Sequence, residues 1–138
     1  MGEPALQQPQ ILPLRTQEDV VRLRQRVRDL AQLQRLSLVD QTKLVTAASE
    51  LARNALIYGG GGEATLCGLS DGRRGGVRLV FSDQGPGIVD IGLALTDGYT
   101  TGGGLGLGLS GARRLCDEFE LDSAPGQGTR VSIVKWTR

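Results

Sequence analysis

About a third of the residues between Ser82 and Gly111 are glycine. A glycine in the interior of a helix or strand costs up to about 1 kcal/mol. A compact chain that gathers so many in one place must need bare backbone there. The stretch reads SDQGPGIVDIGLALTDGYTTGGGLGLGLSG. It opens on an Asp-x-Gly-x-Gly, Asp83 to Gly87, and closes on a second cluster that begins at Gly102.

Regular elements flank this stretch. Met1 to Gln10 is polar with two prolines and is predicted to be a flexible tail, leaving residues 11–138 as a single domain. Ile11 to Arg15 fits an edge strand, because Pro13 cannot donate to a central ladder. Thr16 is the expected N-cap of a helix whose apolar positions are Val20, Leu23, Val27, Leu30 and Leu33 or Gln34. Arg22, Arg24, Arg26 and Arg28 lie between them. A solvated face accounts for these arginines, and the other reading is a docking surface for an acidic partner. A second helix starts near Ser37 or Asp40 and runs to about Tyr58, with Leu44, Ala47, Ala48, Leu51 and Ala55 as its stripe and Gly59 to Gly62 as its stop.

Two strands, Glu63 to Ser70 and Gly76 to Asp83, are joined by a turn at Asp71 to Gly75. A short helix over Ile88 to Leu95, a glycine-rich loop over Thr96 to Gly104 and a helix over Leu105 to Glu118 follow. The strands Phe119 to Ala124 and Thr129 to Trp136 end the chain around Pro-Gly-Gln-Gly. The order βααββ(α)αββ lacks the alternation of a doubly wound parallel sheet. It predicts an α/β two-layer sandwich, a mixed and mostly antiparallel sheet covered by helices on one face.

Composition narrows the chemistry. The chain has no histidine, which removes Ser-His-Asp and Cys-His catalysis and imidazole metal sites. A general base must then be a carboxylate, or failing that Lys, Cys or Tyr. Cys67 and Cys116 are too few for a zinc site and read as reduced thiols. A net charge of +1 gives no global pull toward nucleic acid or membrane. No apolar run approaches a membrane span and the N-terminus lacks a signal-peptide pattern, so the expected location is cytoplasmic. Aromatics make up 4% of the residues, so the core must be aliphatic.

Four segments carry candidate chemistry. Glu50 and Asn54 are four residues apart and share a helix face. They are either a solvent-facing pair or a site beside the core. Asp83 ends a buried strand, where its carboxylate reads as a cleft floor or as part of a tight turn, with Gly85 and Gly87 letting backbone approach a flat ligand. Gly102 to Gly108 precedes a helix, so converging amides and the helix N-terminus suit polyphosphate. A linker is the other reading, against which the interleaved leucines count. No Gly-Lys-Ser/Thr follows, so it is not a Walker loop. Thr129, after Gly126-Gln127-Gly128, can reach toward a ligand on Asp83.

In this order the four segments resemble the boxes of the GHKL ATPase superfamily, from about Leu38 to Trp136. More closely, ELARN, SDQGPGI, DGYTTGGGLGLGL, RLCDEFEL and GQGT with KW resemble the RsbT-type serine/threonine switch kinases of bacterial partner-switching and stressosome pathways. The resemblance implies the Bergerat ATP-binding fold, with ATP and Mg2+ as cofactors. It implies that Asp83 accepts from the adenine amine, with Thr129 assisting through water and Gly85 and Gly87 beside the purine. It implies Asn54 as the magnesium ligand and Glu50 as general base. It implies a phosphate lid containing Thr101, Gly102, Gly103, Gly104, Leu105, Gly106 and Gly108. The implied partners are a STAS-domain substrate and a downstream phosphatase or other output protein. The alternative is an anti-sigma factor that sequesters a sigma factor. Sigma-binding relatives often carry a histidine where this chain has Tyr58 and an arginine near Thr100-Thr101, and both departures favour the kinase branch. They also leave the cation for the transferring phosphoryl group open, with Arg53 or an arginine of the partner as candidates.

Overall fold

The computed structural model describes residues 5–6, 8–95 and 105–138. Its elements in chain order are β1 (Ala5–Leu6), β2 (Gln10–Leu14), α1 (Gln17–Leu33), α2 (Leu38–Ile57), β3 (Gly62–Ser70), β4 (Gly75–Asp83), α3 (Ile91–Ala94), α4 (Leu105–Leu115), β5 (Glu118–Ser123) and β6 (Thr129–Trp136).

Both long helices begin where the sequence places their caps. Thr16 accepts the Asp19 amide, and the Asp19 carboxylate returns to the Thr16 amide, closing a capping box. Ser37 caps α2 through the Asp40 amide. The buried stripe of α1 runs Val20, Leu23, Val27 and then Ala31, while Leu33 is exposed. Gln34 ends the helix instead of extending its apolar face, and its Nε2 donates to the carbonyls of Leu69 and Gly76 at 2.8 Å each. The stripe of α2 is as expected: Leu44, Ala47, Ala48, Leu51 and Ala55 are all buried. Its alanines let the helix lie close to the sheet and to α4.

The sheet follows the order β1-β3-β4-β6-β5, with β2 also on β3. Every pairing among the described residues is antiparallel. β1 and β2 share one edge of β3: Ala5 and Leu6 pair with Ser70 and Leu69, and Gln10 to Leu14 pair with Leu66 to Gly62. The tail expected over Met1 to Gln10 thus contributes Ala5–Leu6 and Gln10 to the sheet. The β3–β4 turn is held by Asp71, whose carboxylate accepts the amides of Arg73 and Arg74 and pairs with the Arg74 guanidinium. Those bonds pull its pKa down to about 2.

Strand alternation sorts the side chains into two faces. Ala64, Leu66, Val77, Leu79, Phe81, Val131 and Ile133 join the helices in one aliphatic core. Leu69, Val134 and Trp136 form a small cluster on the opposite face. Cys67 is buried and Cys116 half-buried, and neither forms a disulfide among the described residues. Burial pushes the Cys116 thiol up to about 12, so it is not a nucleophile at neutral pH. Among the described residues no helix is long and apolar enough to cross a membrane.

Lys135 is the one cation buried on the helix side, with 4% of its side chain exposed among the described residues. Its ammonium lies 3.6 Å from Asp40 at the head of α2 and 3.7 Å from Asp117 after α4, and Arg138 pairs with both acids. Removing one partner of such a group strands buried charge. Lys135→Ala should therefore cost about 3 kcal/mol, the low end of the usual range because Arg138 still neutralises both acids. Urea unfolding of the two proteins measures it.

Candidate functional site

The far end of the sheet from Lys135 is where the site forms. Gly62, Asp83, Thr129 and Ser123 are successive register partners across β3, β4, β6 and β5. They make a row on the helix-covered face, one step beyond the row Ala64, Phe81, Val131 and Leu121. The inner row is apolar, with Ala64, Phe81 and Val131 buried and Leu121 half-buried. The end row carries the polar side chains of Asp83, Thr129 and Ser123 beside Gly62.

A cavity opens over this row. The described residues enclose about 170 Å3 of it, below the roughly 300–1,000 Å3 of a site for a whole small molecule. A space of that size is fit for one end of a larger ligand rather than the whole of it. Leu51 and Ala55 from α2, Phe81 and Val131 from the sheet, Ile88 after the Asp-x-Gly-x-Gly, and Leu109 from α4 make its walls. Asn54, Asp83 and Thr129 are the polar groups converging on it. Tyr58 also reaches the lining, from the end of α2.

Asp83 is fixed before any ligand arrives. Its Oδ1 accepts the Gly85 amide at 2.9 Å, and the Thr129 amide also bonds the carboxylate. Burial nonetheless dominates and raises its pKa, with the two amides holding it partly down. A half-buried carboxylate aimed into an apolar slot suits a donor on a flat ring. The neighbouring glycines are demanded by protein backbone as well. A Cβ on Gly59 would lie 2.3 Å from Asp83 Cγ. One on Gly87, at φ +78, would lie 2.0 Å from the Ala124 carbonyl oxygen. Gly87 lines the cavity; Gly85 serves it by bonding Asp83.

Across the slot, the buried Nδ2 of Asn54 has no hydrogen-bond partner among the described residues. An orphaned amide costs about 1–3 kcal/mol unless something outside the protein satisfies it. Its two ends exchange by a half-turn, so the amide can present either oxygen or nitrogen. A group with phosphate oxygens and a hard cation fits that vacancy in bonding.

Glu50 stands apart. It lies one turn earlier on α2, outside the cavity lining, in a shallow groove between α1 and α2 with Arg24, Arg28 and Arg53. Its carboxylate is 42% exposed and 3.8 Å from the Arg53 guanidinium. The arginine face of α1 thus divides: Arg22 pairs with Asp19, while Arg24 and Arg28 line this groove. Leu105, Gly106 and Gly108 lie in the first turns of α4. Thr101, Gly102, Gly103 and Gly104, with the loop expected over Thr96 to Gly104, lie outside the described residues.

Ser123 was not among the residues singled out in the sequence. Its hydroxyl bonds Ile88, Gly128 and Thr129 at once. The signal for it is a polar residue that ends an inward apolar alternation, Phe119, Leu121, Ser123.

Residues 39–137 match the family described as histidine kinase-, DNA gyrase B- and HSP90-like ATPases. The chain is 44% identical to the serine/threonine-protein kinase RsbT of Bacillus subtilis over 89% of this chain and 92% of that one. It is 32% identical to an anti-sigma F factor of Pasteuria penetrans over 72% of this chain and 70% of that one. The crystal structure of the RsbU and RsbW domains of a Mycobacterium tuberculosis protein matches with a TM-score of 0.65. That match covers 96% of this chain and 33% of the longer one, and at 19% identity the likeness is one of fold.

The raised pKa of Asp83 has a testable consequence. The folded protein keeps a proton on Asp83 at a pH where the unfolded chain has released it, so stability is lost as pH rises through that window. Asp83→Asn removes this loss. The melting temperature of the nucleotide-free protein, relative to the Asn variant, should fall as pH rises from about 4 to 7. A difference that grows with pH would mean that the amides outweigh burial.

Proposed function

The chain belongs to the histidine kinase-, DNA gyrase B- and HSP90-like ATPase family and is a protein serine/threonine kinase; we propose that it transfers the γ-phosphoryl group of ATP to a Ser or Thr of a STAS-domain antagonist. The observation that carries this reading is the slot itself. Asp83 and Thr129 sit on one wall and Asn54, whose Nδ2 has no partner among the described residues, on another, around a space of about 170 Å3.

In this reading the adenine enters the slot and its amine donates to Asp83. Asn54, turned to present its oxygen, would hold Mg2+, a hard cation that prefers oxygen ligands. The bound metal supplies charge neutralisation on the phosphates. Thr101 to Gly108 supplies backbone amides to the same phosphates. Glu50 takes the proton of the incoming hydroxyl as its oxygen bonds the γ-phosphorus and the bond to the β-phosphate oxygen breaks, releasing ADP. Exposure in the α1–α2 groove suits that role, because a protein substrate must reach it from solvent. Arg53, beside Glu50, is the protein's own candidate to offset charge on the transferring group.

Phosphorylation then releases the antagonist, and the freed kinase engages a downstream phosphatase or other output protein in the cytoplasm. The anti-sigma reading shares this pocket and has the anti-sigma F similarity in its favour. The higher identity to RsbT over more of the chain favours the kinase.

Incubation with ATP, magnesium and a STAS-domain partner, followed by mass spectrometry, should show one added phosphoryl group on Ser or Thr. Glu50→Ala should bind ATP normally in calorimetry and transfer about 10²–10⁴-fold more slowly. Near-normal transfer by that variant would remove Glu50 from the base role. Asp83→Asn should lose ATP affinity instead.

A further inference from the structure

The bonds of Ser123 fix more than the backbone. A serine hydroxyl has one proton to give and two lone pairs to receive. Ser123 has three partners. Its Oγ lies 2.8 Å from the Gly128 carbonyl oxygen, 2.9 Å from the Ile88 amide nitrogen and 2.9 Å from Thr129 Oγ1. A carbonyl can only accept, so the Ser123 proton goes to Gly128. An amide can only donate, so Ile88 fills one lone pair. The second lone pair is left for Thr129, whose hydroxyl must therefore donate to Ser123.

The direction of that last bond decides what Thr129 shows the cavity. Its proton is spent on Ser123, so only oxygen lone pairs remain to face the slot that Thr129 lines with Asp83. The Asp83 carboxylate, when ionised, is also acceptor-only. The polar floor thus offers acceptors from two residues. An amino group on the ring, or a water carried by it, finds partners there. A carbonyl at the same position meets lone pairs, and a hydroxyl free to rotate would have relieved that conflict.

Resting on the ATP reading of this site, we infer that Ser123 is a positioning residue for base selectivity: by fixing the Thr129 hydroxyl as an acceptor, it makes the site prefer a purine with a 6-amino group to one with a 6-carbonyl. Ser123 touches no base itself. It acts through Thr129, and its links to Ile88 and Gly128 bring together the three segments that frame the slot.

The test is the ratio of ATP to ITP affinity, measured by calorimetry on the whole chain. Four variants are compared with the wild type: Ser123→Ala, Ser123→Thr, Thr129→Val and the double Ser123→Ala/Thr129→Val. Ser123→Ala frees the Thr129 proton and should lower the ratio about tenfold, whatever common loss both nucleotides suffer from a looser frame. Ser123→Thr keeps the hydroxyl and should keep the ratio. Thr129→Val should lower the ratio, and adding Ser123→Ala to it should lower it no further. A Ser123→Ala protein that weakens ATP and ITP equally would overturn the inference and leave Ser123 as a purely structural bond. So would a further drop in the Thr129→Val background. A wild type that binds neither nucleotide would instead overturn the ATP reading from which the inference starts.

Discussion

A carboxylate held half out of water at the end of a buried strand is the interaction on which the site depends. Asp83 is desolvated enough for its pKa to rise, yet two backbone amides keep it oriented. That tension explains the glycines crowded around it. Gly59 passes so close that no side chain fits between it and the carboxylate, and Gly128 approaches the Asp83 backbone just as tightly, at φ +75. The fold spends conformational freedom here to build an acceptor that water alone would not organise.

Helix α2 is the second organising element because it has two working sides. Its alanine-rich stripe packs on the sheet and on α4. Asn54 looks from one edge of that stripe into the slot, and Glu50, one turn earlier, looks into the groove that α1 completes. Under the proposed function, a nucleotide and a protein partner would meet at one helix without competing for the same wall. The groove lining sets Arg24, Arg28 and Arg53 against the single carboxylate of Glu50.

The sequence exposed much of this, for physical reasons that also mark its limits. Both long helices and the strands β2 to β6 were legible because their caps, periodicity and turns are local. The two-residue β1 was not, since its pairing answers the open edge of β3 and not any pattern in Ala5–Leu6. The exchange of Leu33 for Ala31 on the face of α1 likewise depends on what the helix meets. In the site, Asp83, Asn54 and Thr129 could be picked out by motif, and the structure brings those three to one cavity. The separate station of Glu50 and the three bonds of Ser123 depend on register and helix rotation, which no single segment records.

The lone tryptophan illustrates how thoroughly the two faces of the sheet are divided. Trp136 lies with Leu69 and Val134 on the side away from the helices, under the Arg74 guanidinium at 4.4 Å, with its indole nitrogen on Glu118. Its emission therefore reads the outer surface of the sheet. Tryptophan emission, as distinct from that of Tyr58 in the slot lining, should follow melting of this protein while responding little to whatever fills the slot, which Trp136 does not line.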